Sequence, residues 1–199
     1  MEEHYVITIS RQFGSLGRPI ARRTAEKLGI SFLDRDIVEE TAKRMGLLVS
    51  EIGDQEESAK NPYLYMKFPL GIGPQPIEDE IFDVQNNIIK DMAAKQDCII
   101  VGRCAEYVLR NHARKLSVYI QAPYEWRLRK SIEDLKLGEY EASKMIHDVD
   151  LARDRYRRRY EKNVQDAFTW REIILDSSVF GVELCADIIA DTARRKFRL

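Results

Sequence analysis

The chain has 199 residues and a mass of 23.2 kDa, with 44% hydrophobic and 33% charged residues, the balance of one globular domain with a sizeable core. Its 32 Lys and Arg against 33 Asp and Glu give a formal net charge of -1, so global charge points neither to nucleic acid nor to an anionic membrane as partner. No apolar run approaches the roughly 18 residues of a membrane span, the opening MEEHYVITIS lacks the basic and apolar regions of a secretory signal, and Cys98, Cys104 and Cys185 form no CxxC pair, which together predict a cytoplasmic protein with reduced, mostly buried thiols.

Short runs rich in β-branched residues alternate with longer stretches of helical period, the pattern of a parallel sheet covered by helices. Strands are predicted at 5–9 (YVITI), 31–33 (SFL), 98–102 (CIIVG), 116–122 (LSVYIQA) and 172–176 (EIILD). Most are apolar throughout, as strands buried on both faces are. Helices are predicted over 18–28, 36–46, 78–95, 104–113, 123–136, 139–162 and 179–196. The last carries an apolar stripe of Val182, Cys185, Ile188 and Ile189 and ends on basic residues. Residues 47–77 break the rhythm, with Pro62, Pro69, Pro74 and Pro76 and no period. So long an irregular stretch is either a lid or binding loop or a surface excursion. Its Tyr63, Tyr65 and Phe68 either line a ligand pocket or anchor the loop. Nothing divides the chain, so residues 1–199 form a single domain.

The stretch YVITISRQFGSLGRPIARRTAEKLG runs from strand through a glycine-bearing turn into a basic helix, the order in which phosphate-binding loops are built. Aligned with GxxxxGK[ST], Gly17 and Arg18 take the places of Gly and Lys, Gln12 that of the first Gly, and Pro19 that of the Ser or Thr. Gly14 and Gly17 meet the need for backbone that approaches phosphate closely, and Arg18 binds phosphate as a planar fork. Pro19 suits the first turn of a helix but removes the hydroxyl that holds magnesium; Ser10 and Ser15 are the candidate replacements. Taken alone, FGSLG is equally an ordinary strand-to-helix turn.

Four fragments in order extend the comparison: ITISRQFGSLGRPIARRTAEKLGISFLDRDIV, QNNIIKDMAAKQDCIIVGRCAEYVL, DLARDRYRRRY and REIILDSSVFGVELCADII. Together they resemble the cytidylate kinase-like family of P-loop proteins, relatives of bacterial CMP kinase. The resemblance implies a three-layer αβα fold of the P-loop NTPase type, with a parallel five-stranded sheet and a helical lid at about residues 123–162. It implies ATP-dependent phosphoryl transfer to a nucleoside monophosphate, CMP or dCMP, with Mg²⁺ arriving with the ATP. Gly14, Ser15, Leu16, Gly17, Arg18 and Pro19 then form the ATP phosphate site. Asp34 falls where CMP kinases place an acidic residue near the acceptor. Arg35 and Asp36 replace a Ser-Gly pair there, and Glu40 replaces an acceptor-phosphate arginine. Arg103 matches the arginine of a DGRD element, with Val101 and Cys104 in place of both its acids. Asp150 and Arg153 match a D-x-x-R pair that contacts the acceptor, and Arg127 and Arg129 match lid arginines.

Transfer between phosphates asks for positioning and charge neutralisation rather than a nucleophilic side chain, which fits a chain whose His4, His112 and His147 form no catalytic arrangement. Arg18 and Arg153 are the expected catalytic cations, Asp34, Arg35, Arg103, Asp150 and Arg153 the acceptor site, and Arg157 a further lid residue. On a helix Arg153 and Arg157 share one face beside Tyr156 and Tyr160; these arginines either swing onto phosphates or pair with Asp150, Asp154 and Glu161. Two other readings stand beside the kinase: a degenerate nucleotide-binding or regulatory protein on the same fold, and a nucleic-acid binder using the arginine helix, which the near-neutral charge disfavours. No metal site made wholly of protein ligands is visible.

Overall fold

The structure, a computed structural model, describes residues 4–46, 49, 75–161 and 168–199. Five strands form one parallel sheet in the order β2-β3-β1-β4-β5, with β1 at Val6–Arg11, β2 at Ser31–Leu33, β3 at Cys98–Val101, β4 at Lys115–Gln121 and β5 at Ile173–Asp176. Seven helices are seen among the described residues: α1 (Gly17–Leu28), α2 (Arg35–Met45), α3 (Gln75–Lys95), α4 (Ala105–Val108), α5 (Tyr124–Leu135), α6 (Glu139–Tyr160) and α7 (Ser177–Phe197). No described helix is long and apolar enough to cross a membrane.

The period of two in a strand sorts the apolar runs onto two faces. Ile7, Ile9, Ile99, Val101, Val118 and Ile120 pack against α1 and α7 through Ile20, Ala21, Cys185 and Ile189. Val6, Cys98 and Ile100 point the other way, onto Ile37 of α2, Ile88 and Ile89 of α3, and Val108 of α4. These side chains are fully or nearly fully buried, which makes the three layers. Thr8 and Ser117 are register partners on β1 and β4 and meet through a buried hydroxyl bond of 3.0 Å, so the polar pair inside the sheet is satisfied. The three cysteines are free and buried. Helices α5 and α6 pack on each other through Leu128, Ala142 and Ile146, and Phe13 from the turn after β1 joins that cluster. The region expected as a lid is thereby tied to the loop.

Two boundaries differ markedly from the sequence reading, and one helix is kinked. The helix expected over 104–113 is only the single turn α4: Arg103 and Cys104 hold φ of 59° and 52°, which stops a right-handed helix from starting earlier. Turn bonds from Arg110 N to Tyr107 O and from His112 N to Leu109 O then return the chain to β4. Helix α3 begins at Gln75, inside the stretch read as irregular, with Pro76 in the first turn where a helix does not use the missing N–H. Helix α7 is kinked at Gly181, whose φ and ψ are 63° and -175°. Most of the 47–77 stretch, with Tyr63, Tyr65 and Phe68, lies outside the described residues.

Candidate functional site

The turn from β1 to α1 is built at the C-terminal end of the central strand, where parallel α/β sheets open their ligand crevices. Gln12 fastens it to β4: its backbone N–H donates to Ile120 O at 3.0 Å, and its Oε1 accepts from Ala122 N at 3.0 Å. The residue in place of the first loop glycine therefore has a structural use. Gly14 has φ of +72°, and a Cβ there would lie 2.8 Å from Ser131 Oγ and 3.1 Å from Arg127 O on α5, so glycine is needed for both conformation and space. A Cβ on Gly17 would come within 2.6 Å of Arg11 Cβ. Leu16 enters α1 with φ of 56° and no side-chain cap, which leaves the first-turn N–H groups of α1 to other partners.

The hydroxyls expected to replace the missing magnesium ligand are placed differently from each other. Ser15 is fully buried and its Oγ is bonded inward, at 2.9 Å to Gln12 O and 3.2 Å to Ile120 O. Pro19 is exposed and offers none. The start of α1 therefore does not fit a metal held through a loop hydroxyl. Ser10 Oγ accepts from Arg171 Nε at 3.0 Å. Among the described residues no group of three or more His, Cys, Asp or Glu is arranged to hold a metal.

Arg18 meets Asp34 at 2.5 Å and lies 5.9 Å over the Phe32 ring, so the expected phosphate cation and the expected acceptor carboxylate form one ion pair between α1 and the end of β2. Asp150 accepts from Phe13 N at 2.7 Å and from Arg127 Nη1 at 2.6 Å. Arg127 also donates to Phe13 O and to Ala122 O, at 3.0 and 3.1 Å. A loop, a strand end and both lid helices converge on this clamp. Burial raises the Asp150 pKa above the usual carboxylate range despite the Phe13 N–H and Arg127, because desolvation outweighs the pairing.

Two hollows flank the loop. One, of about 300 Å³, is a groove walled by Gly14, Leu16, Gly17, Arg18 and Pro19, with α5 opposite. The other, of about 170 Å³, is walled by Ser10, Gly102, Arg103, Asp150, Tyr156 and Arg157, among others. Arg11, Gln12 and Arg153 line both. Arg153 Nη1 donates to Arg11 O at 3.2 Å. Burial, and then the charge of Arg11, hold the Arg153 pKa well below its ordinary value, with Asp34 acting against them. Burial likewise lowers Arg103. Guanidiniums brought this close out of water favour an anion between them.

Of the residues predicted for the site, Gly14, Leu16, Gly17, Arg18 and Pro19 line the loop groove, Arg103, Asp150 and Arg157 the second cavity, and Arg153 both. Ser15, Asp34 and Arg127 stand behind these walls and support them, and Arg129 is exposed on α5. Of Arg35 only the backbone, at the start of α2, belongs to the described residues. Tyr156 and Tyr160 pack on Phe82 of α3, and Trp170 meets Tyr107 edge-on. The sequence reading missed Arg11, Glu106, Tyr119 and Arg171 and took Glu161 only as a partner for the helix arginines; all five line the second cavity. A charge closing the otherwise uncharged β1 could have flagged Arg11; the others carry no local signal.

A glycine turn leading from the central strand of a five-stranded parallel sheet into a helix, with a cavity on each side, defines a P-loop kinase fold. Residues 6–179 match the model of the cytidylate kinase-like family, and the chain belongs to that family. Among solved structures it is similar to an uncharacterized protein from Eubacterium ventriosum, at 21% identity over 96% of this chain and 98% of that one, with a TM-score of 0.73. Shikimate kinase from Acinetobacter baumannii, solved with shikimate, shares 15% identity over 96% and 93% of the two chains, at a TM-score of 0.54. Shikimate kinase from Bacteroides thetaiotaomicron shares 12% over 98% and 99%, at 0.55. No curated protein sequence matches the chain.

Proposed function

We propose that this chain moves the γ-phosphoryl group of ATP from the loop groove to a phosphate acceptor in the second cavity, with CMP or dCMP the expected acceptor and nucleotides its partners. The observation that carries this reading is the wall of Arg11 and Arg153 common to both hollows. A group passing between them meets these guanidiniums, and charge stabilisation at that point is what phosphoryl transfer requires. Gly14, Ser15, Leu16, Gly17, Arg18 and Pro19 shape the ATP side. Asp34 orients Arg18, and Arg103, Asp150 and Arg153 serve the acceptor side, with Arg127 and Arg157 holding the lid. Arg129 and Arg35 remain candidate contacts of the lid and acceptor. Mg²⁺ enters with the triphosphate and keeps most of its waters; the role of the chain is to position the nucleotides and shield the transfer.

The inward hydroxyl of Ser15 and the proline at position 19 favour a second reading, a nucleotide-binding protein that has lost transfer. Purified protein with MgATP and a panel of CMP, dCMP, UMP and AMP separates the two. The kinase reading expects ADP formation with at least one acceptor, and a fall in kcat of about a hundredfold or more for Arg11→Ala and for Arg153→Ala. No ADP above background with any acceptor, while MgATP still raises Tm, establishes the second reading instead.

A further inference from the structure

Inside the second cavity lie two carboxylates that neither the loop nor the arginine wall explains. Glu106 on α4 and Glu161 just after α6 are each 3% exposed and both line the cavity, and neither lines the loop groove. Arg171 is 3.7 Å from Glu106 Oε1, and Arg157 is 3.7 Å from Glu161 Oε2. Those separations are ion-pair contacts but too long for hydrogen bonds. Among the described residues, Glu106 Oε2 and both oxygens of Glu161 are shut off from water and receive no N–H or O–H, the Cys104 thiol being a weak donor beside Glu161. The neighbouring guanidiniums are occupied elsewhere: Arg171 lies 4.1 Å over the Tyr119 ring and donates to Ser10, and Arg157 donates to Asp154 at 3.2 Å.

We propose that Glu106 and Glu161 form a donor-reading subsite of the second cavity, which seats the part of the acceptor bearing paired hydrogen-bond donors while the arginines hold its anionic part. The inference rests on the reading of this cavity as the acceptor site. A desolvated carboxylate without a hydrogen bond bears the cost of burial with no return. A ligand that draws the two side chains round into the cavity, so that its N–H or O–H groups meet their oxygens, recovers that cost, and an analogue without donors leaves it standing. Burial, and then the charge of Glu106, push the Glu161 pKa up to about 7, with Arg157 and Arg171 opposing. Glu161 therefore carries its proton part of the time near neutrality and presents a donor as well as an acceptor. Two ligand features have the required chemistry: the amino edge of a cytosine and the adjacent hydroxyls of a phosphorylated sugar.

The test is equilibrium binding by calorimetry of inorganic phosphate, ribose 5-phosphate, CMP, UMP and a non-hydrolysable ATP analogue to the wild type, Glu161→Gln and Glu106→Gln. The proposal expects CMP or ribose 5-phosphate to bind the wild type more tightly than inorganic phosphate. It expects each Gln variant to reduce that affinity about tenfold or more, with inorganic phosphate and the ATP analogue unchanged and the Tm of the ligand-free protein not lowered. Loss confined to CMP over UMP assigns the amino edge; equal loss for ribose 5-phosphate assigns the sugar hydroxyls. The proposal is overturned if the variants bind every ligand as the wild type does, if they lose phosphate affinity equally, or if no organic phosphate surpasses inorganic phosphate. Absence of ADP formation would instead defeat the kinase reading and leave these binding results in place.

Discussion

Replacing Asp150 by Ala tests whether the clamp between loop and lid is what holds the site in shape. The substitution removes the acceptor of two short charge-assisted bonds, 2.7 Å from Phe13 N and 2.6 Å from Arg127 Nη1. The Arg127 side chain is 8% exposed and keeps only the carbonyls of Phe13 and Ala122. Breaking a buried pair from one side costs about 3–5 kcal/mol. Two carbonyls still receive the guanidinium, and the burial of Asp150 offsets part of its own pairing, so the loss falls near or below the lower end, at about 2–3 kcal/mol. For a chain of this size Tm then falls by about 4–12 °C. Asp150→Asn, which keeps a carbonyl acceptor, should lose less than half as much. Thermal and urea unfolding measure the stability change, and the MgATP-induced rise in Tm measures the loop. A Tm within about 2 °C of wild type for Asp150→Ala, with an unaltered MgATP response, would refute the clamp.

Gly14→Ala places a Cβ 2.8 Å from Ser131 Oγ and 3.1 Å from Arg127 O at a φ of +72°. It should cost about 1–2 kcal/mol in backbone conformation alone, shift α5 and reduce the MgATP-induced rise in Tm; a wild-type response would show that the loop tolerates a side chain. Glu161 has a folded pKa raised to about 7 from the ordinary 4.5, so the native state binds its proton more tightly than the unfolded state does. The stabilisation this provides is present below about pH 4.5 and is lost as pH rises through about 7, at most about 3 kcal/mol. Urea unfolding from pH 5 to 8 should therefore show a steeper loss of stability in the wild type than in Glu161→Gln, and parallel profiles would contradict the shift.

The layer order, the strand positions and the loop were legible in the sequence because each depends on local periodicity. Cys98 to Val101 is a continuous apolar run and Val6 to Ile9 is one broken only by Thr8, as suits strands covered on both faces, and Gly14 and Gly17 mark where backbone has to pass close to other atoms. The short α4 was not legible, because neither arginine nor cysteine favours the left-handed conformation that Arg103 and Cys104 adopt. Arg153 was read from a motif, and Arg11 beside it was not.

What the sequence by itself determined is a phosphate-type loop on a parallel αβα sheet, since spacing and hydrophobic pattern specify backbone. Which charges face one another only the tertiary structure decided. Arg18 and Asp34 are 16 residues apart and Arg127 and Asp150 are 23 apart, while Arg171 reaches Ser10 across 161 residues. The pairing of long polar side chains depends on how elements distant in sequence cross. For that reason Glu106 and Glu161 became visible as a pair only when α4 and the end of α6 were brought to the same cavity.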